Sequence, residues 1–520
     1  MFAHRRLVVA TATTTRRFTT QLPSSTLKVT IIGSGPSGFY TAKYIQSLIP
    51  PSTSLSISII DQLPVPYGLV RSGVAPDHPE VKNVENDFAK IITTSDSINF
   101  FGNVLVQEND ASPSASPSIS LADLQSVSDC VVLAYGASGD RTLSLNSNSS
   151  QNIPNVISAR KFVHWYNGYT LPPTDAAELA FLDLDLDLDL DLDEKIENVV
   201  IIGQGNVALD CGRVMVKSCV EKKSTESILD TDVASRALDT NIFDSLKSVK
   251  IVGRRGHIQG AFTIKELREL TKLEGNLKFG VRESELIQGD VILERPKKRI
   301  DKLLRDYAQK LKLKLKQKQP CDDDDITIEL RFFMNPVEFI TEEGQVTAVK
   351  FEKTVLENNR AIGTGEFETL EADLVLVSVG YKSNCLAGLE ESFCEDSGTV
   401  MSVRGRVRVG EGEGGGGGRG NDFLYCSGWV KRGPVGIIGS NISDARETAD
   451  SLVSDFLENK FGGKEGKIEK LLADKGVEWV GWEEWEKIDN FEQANENKRT
   501  ELQPREKITS VDKMLNVVND

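Results

Sequence analysis

This 520-residue chain is poor in the residues that bind metals or build disulfide frameworks. It has four histidines in all, too few and too scattered for a protein-ligated metal centre. Its seven cysteines are Cys130, Cys211, Cys219, Cys321, Cys385, Cys394 and Cys426, with neither a Cys-x-x-Cys nor a Cys-x₄-Cys pair among them. That spacing excludes a redox-active disulfide relay and leaves no ligand set for an iron–sulfur cluster of the chain's own. The odd count argues against a structural disulfide framework. No apolar run approaches the ~18 residues that span a bilayer. A formal net charge of −16 argues against nucleic acid as a partner.

Acidic residues are absent before Asp61. Residues 1–27 instead carry Arg5, Arg6, Arg16 and Arg17 among many Thr and Ser, the composition of a mitochondrial transit peptide. The apolar stretch Leu7–Ala10 is too short for a secretory signal. A chloroplast leader, or an unstructured tail with chance arginines, is the alternative.

The chain does contain two glycine fingerprints. The first, Gly33-Ser34-Gly35-Pro36-Ser37-Gly38, follows the apolar run Val29–Ile32; the second, Gly203-Gln204-Gly205-Asn206-Val207-Ala208, follows Val199–Ile202. Each sits where a strand should turn into a helix. The first glycine allows the tight turn and the second lets backbone approach a pyrophosphate. The third position, Gly or Ala, allows close helix–strand packing. One match is weak, but two in register with predicted strands imply two dinucleotides, the layout of a flavoprotein reductase.

The ends of the next strands separate the two sites. Leu55–Ile60 ends in Asp61, near the ~20-residue spacing at which a carboxylate accepts from adenosine ribose hydroxyls and repels a 2′-phosphate. FAD or NAD suits that site. Val249–Val252 runs instead into Gly253-Arg254-Arg255-Gly256, whose two guanidinium groups suit the 2′-phosphate of NADPH. A solvated loop is the competing explanation for the arginines. Their spacing from the fingerprint is long, so 216–248 must hold an extra helix or loop.

The expected organisation is α/β: 28–157 as a first unit, 158–371 as a second, and 372–520 returning to the first. Val131–Gly136 reads as a buried strand ending in Gly at a topological edge, and Leu374–Gly380 as another. Three segments are low in complexity. Leu182–Asp193 alternates Leu and Asp, Lys310–Lys318 largely alternates Lys and Leu, and Gly412–Gly418 is glycine but for Glu413. Strict alternation suits half-exposed strands, so the two charged runs could pair as antiparallel ribbons; an insertion loop is the other reading of the Asp run.

The longer blocks resemble the mitochondrial adrenodoxin reductase family. They are residues 33–42, Gly73-Val-Ala-Pro-Asp-His-Pro-Glu-Val-Lys-Asn-Val84, Gly203–Asp210, Ala261–Glu269 and Tyr425–Pro434. The likeness runs from about residue 28 to the end. It implies two Rossmann-like domains of the glutathione-reductase kind, the NADP domain inserted into a discontinuous FAD domain. The implied activity is electron transfer from NADPH through FAD to a mitochondrial [2Fe–2S] ferredoxin. By matched motif, FAD contacts Gly33–Gly38, Asp61, Leu69, Val106, Trp429 and Gly436, Ile437 and Ile438. NADPH contacts Gln204, Gly205, Asn206, Val207, Arg254, Arg255, Glu266 and Gly436. The family usually has Glu where this chain has Asp61. His78 and Asp210 match motif residues that would handle protons or shape the flavin site; a loop cap and a helix-stabilising charge are their alternatives. Trp429 is expected on FAD, with a core Trp as the other option.

An acidic ferredoxin needs a local basic face on this acidic chain. Arg295, Lys297, Lys298 and Arg299 supply one, with Lys302 and Arg305 following at near-helical spacing. Arg295 and Arg299 match ferredoxin-docking positions in the resembled family, although most such runs are plain solvated helix faces. The implied compartment is the mitochondrion, in the matrix or peripheral on the inner membrane, and the default state is a monomer. Competing functions are a glutamate-synthase-subunit-like reductase, a flavin monooxygenase, and a sensor that binds both cofactors without turnover.

Overall fold

The computed structural model describes residues 26–520 apart from 109–116, 144, 146–152, 171–178, 180–181, 183–195, 221–227, 229–230, 233–241, 274–276, 287–292, 317–324, 409–422, 495, 497 and 499. The arginine-rich leader to residue 25, nearly all of the Asp/Leu run, the polyglycine and Cys321 lie outside the described residues.

Two parallel sheets organise the chain. In the first, Phe423–Cys426, Cys130–Leu133, Leu27–Ile32, Leu55–Ile60 and Ile98–Phe101 lie side by side in that order. Short antiparallel strands Arg406–Val407 and Ser402–Val403 extend it beyond Phe423–Cys426. The second sheet runs Val156–Ser158, Leu374–Val377, Asn198–Ile202, Ser248–Val252, Ile326–Arg331, Leu277–Val281, parallel throughout. Its strands Asn198–Ile202 and Leu374–Val377 are nearly continuous apolar runs because helices or other layers cover both faces; Val199 to Ile201 are fully buried. An antiparallel meander, Met334–Glu342, Gln345–Glu357 and Arg360–Glu371, leads from Ile326–Arg331 to Leu374–Val377.

In each sheet the strand before the fingerprint has the next strand on one side and a much later strand on the other. Leu27–Ile32 lies between Leu55–Ile60 and Cys130–Leu133, and Asn198–Ile202 between Ser248–Val252 and Leu374–Val377. The chain reverses direction across the sheet at these points, which opens a crevice at the carboxyl ends of the strands.

Pairing corrects three expectations. Cys130–Leu133 lies inside its sheet, not at an edge. Leu374–Val377 belongs to the second sheet, so the return to the first comes with Ser402–Val407, not at 372; the boundary at 157/158 likewise falls within the strand Val156–Ser158. A buried apolar strand ending in Gly looks alike in either sheet, and only its partners assign it. The Lys/Leu run as far as Lys316 is helical, closing the helix Arg295–Lys316, so it forms no ribbon with the Asp/Leu run. Lys and Leu are both good helix formers, and the run continues a helix already anchored by buried Ile300, Leu304 and Ala308. The segment expected to hold an extra helix is in part the long helix Asn206–Val220 itself.

The C-terminal tail ties the two units together through buried ions. Glu492, with no exposed surface, accepts from Arg71 Nη2 at 2.6 and 2.8 Å and from the Ile508 backbone N–H at 2.9 Å. Arg505 Nη1 adds a third donor at 3.3 Å. Lys82 and Lys507 meet Asp232, on the connection between Asn206–Val220 and Ser248–Val252, at 2.5 and 3.4 Å. Removing one partner of such a network leaves the others charged and buried. Glu492→Ala should therefore lose about 3–5 kcal/mol in urea unfolding and expose the tail to protease; a loss of less than about 1 kcal/mol would show that the tail is not a tie.

Candidate dinucleotide and electron-transfer site

Each fingerprint is built by a glycine whose side-chain position is already taken. Gly33 has φ +109°, and a Cβ there would lie 2.5 Å from the Ala134 carbonyl oxygen. Gly203 has φ +137°, and its Cβ would collide with the Ser378 carbonyl. In both cases the turn is pressed against the strand across the switch point. The middle glycines differ: a Cβ on Gly35 or Gly205 would meet nothing within 4 Å. Above them start the helices Pro36–Leu48 and Asn206–Val220, neither with an acidic residue in its first turn. Two positive helix ends thus face open space without a carboxylate of their own, which fits two pyrophosphates.

Around the first turn, Asp61 is held by the fingerprint itself. Its Oδ2 accepts from Ser34 N–H at 2.9 Å and Ser34 O–H at 2.6 Å, and its Oδ1 accepts from Leu63 N–H at 3.1 Å. Burial raises its pKa against these bonds. The Tyr67 N–H donates to Ser34 O, and a Cβ on Gly68 would lie 3.2 Å from Gly35 Cα, which brings Leu69 beside the turn. Ser37 Oγ donates to Ser427 Oγ at 2.8 Å, placing half-buried Trp429 nearby, its ring 6.0 Å from Tyr381. Trp429 is thus not a core residue. Val106 is buried in the apolar cluster that holds Ile32 and Ile60, the last residues of their strands. Beyond Trp429, Val435 and Ile437 flank Gly436, each 70% exposed, while Ile438 packs partly on the core.

Around the second turn, Gln204 and Asn206 brace the loop that follows the next strand. Gln204 Nε2 donates to Arg331 O, Ala261 N–H to Gln204 O, and Thr263 N–H to Asn206 Oδ1, each at 2.8 Å. Arg254 is exposed and Arg255 half-buried. Among the described residues neither guanidinium has a carboxylate partner. The strand that ends in Asp61 in the first unit has its counterpart running into two arginines in the second.

The two units meet at Arg213, 1% exposed. Its Nε and Nη2 donate to Asp77 at 2.9 and 3.0 Å, and its Nη1 to Asp210 at 2.7 Å and Glu266 at 3.4 Å. His78 Nε2 faces Glu269 Oε2 at 2.8 Å, and that oxygen lies 3.7 Å from Arg213 Nη1. Asp77 and His78 come from the Pro-rich loop of the first unit, the others from the helices Asn206–Val220 and Ile264–Thr271 of the second. So the expected pair His78 and Asp210 does converge, through Glu269 and Arg213. The His78 ring does not cap its own short helix; Asp210 does make the i, i+3 helix pair. His78, Glu266 and Glu269 bring ligand-type atoms within 4.8 Å of one another, but the Arg213 guanidinium already supplies the positive charge a metal would bring.

Sequence reading missed Arg213, Asp77 and Glu269 as site residues. Asp210-x-x-Arg213 and Glu266-x-x-Glu269 at helical spacing were the available signal. Of the basic run, Arg295, Lys298 and Arg299 are exposed and have no ion pair among the described residues, whereas Arg305 is paired to Asp301 at 3.0 Å.

A chain with two dinucleotide cradles joined at one charged junction is a flavoprotein reductase with an FAD unit and an NADP unit. The comparisons agree. The chain is 35% identical over 516 residues to the NADPH:adrenodoxin oxidoreductase, mitochondrial, of Arabidopsis thaliana, covering 96% of this chain and 97% of that protein. It is 36% identical over 515 residues to the protein of the same name from Homo sapiens, covering 96% and 93%. It superimposes on FprA of Mycobacterium tuberculosis, solved in complex with NADPH, with a TM-score of 0.77 and 30% identity over 95% of this chain and all of that one. No protein-family model matches the chain. The chain belongs to the NADPH:adrenodoxin oxidoreductase family.

Burial, with Asp210 and Glu269 close by, pushes the Glu266 carboxyl up to about 7. The folded protein therefore holds this proton more tightly than the unfolded chain, and stability falls as pH rises from about 4.5 through about 7. Glu266→Gln should flatten that limb of a plot of Tm against pH; curves that stay parallel would show that Glu266 titrates normally.

Proposed function

We propose that this chain is a mitochondrial electron-transfer enzyme that oxidises NADPH on its second unit and delivers single electrons, through FAD on its first, to an adrenodoxin-type [2Fe–2S] ferredoxin. The observation that carries the reading is the contrast across two otherwise equivalent cradles: a carboxylate, Asp61, ends the strand in one and Arg254–Arg255 end it in the other. The names and extent of the relatives support the same partner and compartment. Location in the matrix, with at most peripheral attachment to the inner membrane, and a monomeric state are finer parts of the proposal. Among the described residues no helix is long and apolar enough to cross a membrane.

FAD, when bound, accepts electrons in pairs and releases them singly. The chain's own residues bind, orient and exclude. The open helix ends over Gly35 and Gly205 receive the two pyrophosphates. Arg254 and Arg255 hold the 2′-phosphate. Trp429 and the apolar ridge at Val435 and Ile437 shield the reacting rings from water. Arg213 fixes Asp210 and Glu266, and burial with the neighbouring carboxylates raises the Glu266 carboxyl to about 7. The exposed Arg295, Lys298 and Arg299 face an acidic acceptor.

Anaerobic NADPH titration of the protein, followed by a mitochondrial [2Fe–2S] ferredoxin and cytochrome c, tests this. The expected result is flavin bleaching, with cytochrome reduction only when ferredoxin is present. Bound cofactors without bleaching would instead establish a sensor. Arg299→Glu should cut ferredoxin-dependent reduction by on the order of tenfold at low salt, with the difference fading as salt rises, and should spare ferricyanide reduction. Equal loss in both assays would assign Arg299 to the fold.

A further inference from the structure

We propose that Lys297 is a third cation of the second dinucleotide site, and that with Arg254 and Arg255 it selects a 2′-phosphorylated adenosine over the 2′-hydroxyl form. The inference rests on the reading that the two arginines meet that phosphate. Lys297 stands in the first turn of the helix Arg295–Lys316, amid the docking cations. Arg295, Lys298 and Arg299 are exposed; Lys297 is half-buried. Its Nζ donates to the Gly260 carbonyl at 2.6 Å. Gly260 closes the loop that opens with Gly253-Arg254-Arg255, and the next residue, Ala261, donates its N–H to Gln204 O of the fingerprint at 2.8 Å. The ammonium is therefore clamped to the segment that carries both arginines and touches the dinucleotide turn.

Its ordinary counter-ion is engaged elsewhere. Residues four apart on a helix face one another, so Asp301 is the natural partner. Asp301 Oδ1 instead faces His257 Nε2 at 2.8 Å, and both its oxygens accept from Arg305 Nε at 3.0 Å. Among the described residues Lys297 has a neutral carbonyl and no carboxylate. Burial, and then the nearby Arg255 guanidinium, push its pKa down. Lys297 and Arg255, brought close with no carboxylate partner among the described residues, repel one another and are relieved by an anion. A 2′-phosphate offers that charge and a hydroxyl does not. One helix then serves two ligands, with Lys297 turned to the nucleotide loop and its neighbours to the acceptor.

The test compares 2′,5′-ADP and 5′-AMP binding to the flavin-loaded enzyme. Lys297→Gln keeps an N–H donor for Gly260 O but removes the charge. It should weaken 2′,5′-ADP by on the order of tenfold, leave 5′-AMP unchanged and raise KM for NADPH. Lys297→Arg should retain the preference, and Lys297→Met can replace the glutamine variant if that one loses flavin. Equal loss on both probes, or no loss on either, overturns the proposal. If Arg255→Gln abolishes the preference and Lys297→Gln does not, Lys297 alone is rejected. If the wild type does not prefer 2′,5′-ADP, the arginine reading falls with it.

Discussion

At two points in this protein one strand's carbonyl occupies the space where another residue's Cβ would be. Ala134 presses on Gly33 and Ser378 on Gly203. Only glycine fits there, with φ in the left-handed half of the map. Each contact lets a strand turn abruptly into a helix and leaves that helix's positive end open at the switch point of its sheet. The rest follows from this geometry. The second strand of each unit is delivered to the rim of its cradle, where it ends in a carboxylate, Asp61, in one unit and in Arg254 and Arg255 in the other.

The junction between the units is electrostatic, and much of it is buried. Arg213 gathers carboxylates from both units around one guanidinium, and Glu492 and Asp232 gather cations from the first unit and the tail. Such ions are costly to bury singly and tolerable only as complete sets. The sets therefore favour one relative placement of the two cradles, as electron transfer between two bound cofactors requires. Burial and the same crowding raise the Glu266 carboxyl to about 7, while bonds to Arg213 hold Asp77 well below the usual carboxylate range despite its burial.

Much of the site could be read along the chain because its signals are short in sequence. The glycine turns, Asp61 at one strand end and Arg254–Arg255 at the other are local patterns. Less visible was that Asp61 would spend its hydrogen bonds on Ser34, since that depends on how far a shortened carboxylate reaches. Arg213 was hidden because, beside Asp210 three residues before it, its charge partners come from 77 and 266, which no linear spacing brings to it. Lys297 looked like one more solvated cation until the Gly260 carbonyl separated it from Arg295, Lys298 and Arg299.

Local chemistry alone determined two dinucleotide units, the opposite charges at the ends of their second strands and the basic face, because steric need for glycine and the sign of a charge act over a few residues. Tertiary structure decided which sheet receives Leu374–Val377 and that the Lys/Leu run continues a helix. It also decided that His78, Asp210 and Arg213 share one buried network. Strand pairing and buried charge balance are non-local: each depends on which distant segment arrives to supply the hydrogen bond or the counter-ion.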